Sequence, residues 1–164
     1  MAPEQAFFKR FKRMKNLRYV SADLYSPIVE VKADLLDLPF EDESFDVVLC
    51  NHVLEHIVED TKAMQELYRV LKPGGWGILQ VPLKINQKDT YEDFSITDPK
   101  ERQTHFGQYD HVRWYGMDYF TRLESVGFEV QALSYSKNFS KEEQKRFGLN
   151  ETEILPVVRK KINQ

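Results

Sequence analysis

Glycine is scarce in the front of this chain. The first of its seven glycines is Gly74. No Gly-x-Gly turn, which would let backbone approach a nucleotide above a helix N-terminus, stands before it. A single cysteine, Cys50, excludes an internal disulfide and a cysteine-rich zinc site. No apolar run reaches membrane-spanning length and no secretory signal is visible, so the expectation is a cytoplasmic protein without a membrane span. Charge of one sign is also missing. With 23 basic and 26 acidic residues the net charge is −3, which creates no field suited to nucleic acid, and no nucleic-acid partner is expected. What is present is 41% apolar residues in 164. That suffices for one domain, spanning 1–164, with a real core.

The pattern along the chain alternates. Residues 3–15 read as an amphipathic helix, with Phe7, Phe8, Phe11 and Met14 on one face. Strands are expected at 17–24, 31–34 and 44–50, the last nearly continuous in apolar residues, as in a strand covered on both faces. A helix capped by Asp60 or Thr61 runs to Lys72, and Lys72-Pro73-Gly74-Gly75 turns the chain into a strand at 76–82. Residues 83–115 show little periodicity, and a segment of that length reads as a lid or binding loop, with 84–116 as its bounds. A helix at 117–126 ends at Gly127. A strand at 128–135, a helical turn at 143–148 and a strand at 153–159 follow. Pro156 removes a ladder hydrogen bond from the last strand, so a bulge is expected there. Strand, helix, strand in alternation predicts an α/β fold with a mostly parallel sheet.

Leu38-Pro39-Phe40, Phe45-Asp46-Val47-Val48, Val53-Leu54-Glu55-His56 and Leu71-Lys72-Pro73-Gly74-Gly75 occur in that order. Together they make the chain similar to the class I S-adenosylmethionine-dependent methyltransferases over roughly residues 2–160. The resemblance implies a Rossmann-like doubly wound sheet, mostly parallel with an antiparallel last strand, and methyl transfer from S-adenosyl-L-methionine, leaving S-adenosyl-L-homocysteine. The family begins with a strand and a glycine-rich turn. This chain has neither, so it is expected to start one strand late, with unpaired edges on the two neighbouring strands. Such an edge could promote a homodimer.

Candidate site residues follow partly from position. Ligands of such sheets sit at the carboxyl ends of strands, where Asp23, Asp34 and Asn51 fall. An ionised carboxylate accepts two hydroxyl donors. The resemblance gives Asp23 the ribose hydroxyls and Asp34, with the amide of Leu35, the adenine amino group. It places the backbone of Asn51 and His52 near the methionine portion, and Glu4 where the glycine-rich turn should end. In relatives the region of Tyr109 to Arg113 faces the acceptor, expected to be a small molecule. Asp110 could orient His111, His111 could take a proton from an acceptor hydroxyl as the catalytic base, and Tyr109 and Arg113 could bind substrate. His52 and His56 are four apart, with Glu55 the only other close candidate ligand, and no metal is expected.

Three other readings compete. A methyltransferase-like domain could serve as a non-catalytic binding module or an inactive fragment, which the missing glycines favour. A nicotinamide-dependent oxidoreductase would also need the glycine-rich turn. A metal-dependent hydrolase would use His52, His56 and His111.

Overall fold

The computed structural model describes Met1 and residues 5–162. Its elements in chain order are α1 (Gln5–Phe11), β1 (Ala22–Asp23), β2 (Val31–Lys32), β3 (Phe45–Leu49), α2 (Asp60–Val70), β4 (Leu71–Ile78), β5 (Tyr91–Glu92), α3 (Pro99–Phe106), β6 (Arg113–Trp114), α4 (Tyr119–Ser125), β7 (Glu129–Leu133), α5 (Lys141–Phe147) and β8 (Leu155–Arg159). A 3-10 turn at Leu54–His56 follows β3 and another spans Tyr135–Asn138.

The main sheet has the order β3-β4-β8-β7. β3 and β4 are parallel, while β8 runs antiparallel to both of its neighbours, β4 and β7. This is the Rossmann-like arrangement with an antiparallel last strand. The helix α2 buries Ala63, Met64, Leu67 and Val70, the stripe expected of an amphipathic helix on a sheet. Each of the larger side chains contributes about 1.5–3 kcal/mol when fully buried. The same core takes in Cys50, Leu54, Leu79, Tyr115, Tyr119 and Leu123.

Between β3 and β4 the partner of Phe45 is Leu71 and that of Val47 is Trp76. The extra residues of β4 form a bulge, so Lys72-Pro73-Gly74-Gly75 is an irregularity inside the strand rather than a turn before it. Gly74 occupies the left-handed region with φ of 79°, which a side chain would disfavour. Across β8 the expected bulge at Pro156 is absent. The pairing with β7 runs without a register shift from Glu129↔Arg159 through Ala132↔Pro156 to Leu133↔Leu155. Pro156 lies beyond Val157, which pairs with Ile78 at the end of the named β4 ladder.

The expected strand at 17–24 shrinks to β1, paired in parallel only with β2. β3 pairs only with β4. Among the described residues no strand lies between β1 and β3. A cavity of about 60 Å³ separates them, lined by apolar groups that include Val20, Ala22, Phe45, Val48 and Leu49. The Met1 ammonium donates to the Leu49 carbonyl at its margin. β3 is therefore an edge strand, and Val47 on it is exposed, whereas its apolar composition suggests a strand covered on both faces. α1 packs Phe8 edge-on and Phe11 at a tilt against Tyr19.

Residues 83–116 are ordered by their own elements. β5 pairs antiparallel with β6. Asp98 caps α3 by accepting from the amides of Lys100 and Glu101, and Gly107 ends that helix in the left-handed region. The low periodicity of this stretch reflects two-residue strands and a helix with only Phe106 buried. The helical turn expected at 143–148 is a full helix, α5, opened by a capping box of Ser140 and Glu143.

Candidate functional site

The carboxyl ends of β1 and β2 lie side by side, with Asp23 opposite Lys32 and the Ala33 amide donating to the Asp23 carbonyl at 3.2 Å. Parallel pairing thereby brings Asp23 and Asp34 to neighbouring strand ends. Asp23 Oδ1 accepts from the amides of Tyr25 (2.8 Å) and Ser26 (2.7 Å). That local turn fixes the carboxylate and leaves Oδ2 for a ligand donor. Asp34 is exposed, with Oδ1 held by the Leu36 amide at 2.9 Å. The Leu35 side chain is buried in the core, which keeps the backbone beside Asp34 in place.

The loop after Asp34 is clamped from α2 in a way that sequence reading missed. Arg69 donates to the carbonyls of Phe40 (2.7 Å) and Leu38 (2.9 Å) and to Asp42 (2.8 Å), while Glu66 accepts from the Leu38 amide. Glu66 and Arg69 also bond to each other at 2.7 Å, and that guanidinium holds the Glu66 carboxyl below its ordinary range. The available signal was their i,i+3 spacing on the helix.

Beyond β3 the parallel pairing continues through Cys50 to Ile78 and His52 to Gln80. Burial pushes the Cys50 thiol up to about 12, so it is a packing group. His52 has φ of 53°, a left-handed conformation that costs energy in a non-glycine residue and is concentrated at functional sites. Its Nδ1 lies 3.4 Å from Glu55 Oε1. Glu4 lies outside the described residues.

The stretch 109–113 divides. Tyr109 is 61% exposed on the turn after α3. Arg113 corrects the expectation of a substrate-binding guanidinium: it is 1% exposed and every face of it is engaged. Nε donates to Glu92 (2.8 Å), one terminal nitrogen to the carbonyls of Leu54 (3.1 Å) and Ile57, and the other to the Val58 carbonyl (2.9 Å). Arg122 reinforces it through Asp60 (3.1 Å) and Glu92 (3.0 Å). Burial works against the charge of Glu92, but bonds from Arg122 and Arg113 outweigh it and hold the carboxyl below its ordinary range. This network fastens 83–116 to the turn at Leu54–His56 and to α2.

His111 is 6% exposed, with Nδ1 3.1 Å from the Phe106 carbonyl and its ring edge-on to His56 at 4.7 Å. Burial, then the facing His56, lowers its affinity for a proton. Asp110 does not orient His111; its Oδ2 lies 3.3 Å from His56 Nδ1.

Comparison with known proteins agrees with this geometry. Residues 6–79 match the family described as Methyltransferase domain. A demethylmenaquinone methyltransferase of Clavibacter sepedonicus is 56% identical over 45 residues, which is 27% of this chain and 18% of that protein. A sterol 4-C-methyltransferase of Caenorhabditis elegans is 34% identical over 84 residues, 51% of this chain and 22% of that protein. The chain thus spans about a fifth of the length of these curated relatives. The crystal structure of an S-adenosylmethionine-dependent methyltransferase from Mesorhizobium loti superimposes with a TM-score of 0.52, covering 84% of this chain and 76% of that one at 15% identity. No helix among the described residues is long and apolar enough to cross a membrane.

Proposed function

From a chain whose residues 6–79 match the Methyltransferase domain family and whose fold is that of the class I methyltransferases, we propose methyl transfer from S-adenosyl-L-methionine to a small-molecule acceptor. The observation that carries this reading is the pair of carboxylates, Asp23 and Asp34, at adjacent strand ends. Each is steadied on Oδ1 by local amides. An adenosine presents donors to such a pair, two ribose hydroxyls and an amino group, so the donor set fits the nucleoside half. Asp23 accepts the ribose hydroxyls, Asp34 accepts the amino group beside the Leu35 amide, and the backbone at Asn51 and His52 borders the methionine half.

When bound, this cofactor supplies a methyl group already activated by its sulfonium charge. The chain's own residues then need only align the acceptor and exclude water. Residues 84–116, held down by Arg113 and Arg122, form that cover, with the exposed Tyr109 available to the acceptor. Proton removal is not carried forward for His111, whose bond to Phe106 and packing on His56 commit it elsewhere. The names of the two curated relatives, one acting on a quinone and one on a sterol, favour an apolar ring compound as acceptor.

Calorimetric titration of S-adenosyl-L-homocysteine into the chain tests the reading. Binding is expected, and Asp23→Ala and Asp34→Ala should each weaken it roughly ten- to a hundredfold, the worth of a hydrogen bond to a charged group. A folded chain that takes up no ligand, or variants that bind as well as the parent, would overturn it.

A further inference from the structure

We propose that Glu55, His56 and His111 form a binding site for a zinc-class divalent cation. Each presents one ligand atom, and the three atoms lie within 4.8 Å of one another. The set of two imidazoles and one carboxylate is a known donor combination for zinc with an open fourth position. A tetrahedral ion with ligand bonds near 2.1 Å separates its ligands by about 3.4 Å, so the cluster must tighten from its 4.8 Å span by up to about 1.4 Å. His56, half-buried on a short turn, is the group able to move.

Three further observations point to an ion rather than to chance packing. First, Glu55 is 1% exposed and its Oε2 has no hydrogen-bond partner among the described residues, while Oε1 faces His52 Nδ1. A buried carboxyl oxygen left without a donor is costly, and a cation is the natural partner. Second, both imidazoles are anchored through Nδ1. That of His111 faces the Phe106 carbonyl at 3.1 Å and that of His56 faces Asp110 Oδ2 at 3.3 Å. An Nδ1–H donated to an oxygen leaves the lone pair on Nε2, and this is how ligating histidines are ordinarily fixed. Asp110 is in turn held by Gln108 Nε2 at 2.9 Å. Third, a buried and a half-buried imidazole edge-on to each other gain little as a pair, whereas a shared cation accounts for both orientations. The backbone around them is already tied, since the Val112 amide donates to the Glu55 carbonyl at 3.0 Å. An ion here would pin the turn after β3 to the segment that follows α3. None of this depends on the methyl-transfer reading.

The test is titration of Co2+, a spectroscopic stand-in for zinc, into chelator-treated full chain. One equivalent is expected to give intense visible bands of low coordination number, displaced by Zn2+. His56→Gln, at a half-exposed position that tolerates polarity, should abolish the bands with the circular dichroism unchanged. Asp110→Ala, which removes the positioning acceptor of His56 Nδ1, should weaken binding roughly ten- to a hundredfold. His105→Gln, on α3 and bonded to Tyr91, should leave the spectrum unaltered. No stoichiometric binding to the unaltered protein, bands that survive in His56→Gln, or bands lost equally in His105→Gln would overturn the proposal.

Discussion

Replacing Arg113 by alanine removes a guanidinium that is 1% exposed and leaves its partners without it: the carbonyls of Leu54, Ile57 and Val58, the Tyr115 hydroxyl oxygen and the carboxylates of Asp60 and Glu92. Breaking one side of a buried ion pair costs about 3–5 kcal/mol, because the remaining charge stays out of water without compensation. Arg122 still reaches Asp60 and Glu92, and the Leu54 carbonyl still accepts from the Ile57 amide and the Tyr115 hydroxyl, so the low end of that range is expected. In a domain whose whole stability is about 5–15 kcal/mol, that loss is a large fraction. It corresponds to a fall in Tm of about 6–20 °C for a chain of this size. Urea unfolding followed by far-ultraviolet circular dichroism reads the difference directly. Arg113→Lys should recover only part of it, because one ammonium cannot reproduce a fork that donates in three directions. A stability change of Arg113→Ala within about 0.5 kcal/mol, the range of ordinary surface substitutions, would refute the structural role and return Arg113 to the substrate side.

Glu92 gives a pH prediction from the same network. Its carboxyl is held below the ordinary range by Arg122 and Arg113 despite partial burial, so its contribution to stability is full above the unfolded-state value and is lost as pH falls through the lowered folded value. Urea midpoints measured between pH 6 and 3 should therefore decline more steeply in the parent than in Glu92→Gln, and parallel declines would refute the coupling. At Gly77 an added Cβ would stand 2.6 Å from the Val48 carbonyl oxygen, so Gly77→Ala should destabilise by about 1–3 kcal/mol as β3 and β4 are forced apart. An unchanged urea midpoint would show that the two strands can yield.

Local chemistry wrote the parallel pair β3 and β4, the amphipathic stripe of α2 and the strand-end positions of Asp23 and Asp34 into the sequence. Each depends on residues within a few positions of one another: an apolar run, a 3.6-residue period, an acid at the end of a strand. The antiparallel end of the sheet came from the family resemblance rather than from local pattern, and the regular pairing at Pro156 was not expected. What local pattern could not reach was the fate of side chains whose partners are far along the chain. Arg113 reads as a loop cation, yet its partners are Glu92 and the carbonyls of residues 54–58. His111 reads as a base beside Asp110, yet it meets His56 and Glu55 from across the fold while Asp110 turns to His56. The unpaired edge of β3 was expected from the family resemblance alone and not from local pattern, since an apolar strand has the same composition whether one side is paired or two. Tertiary structure decided these cases because burial and pairing belong to two segments at once. A sequence window contains only one of them.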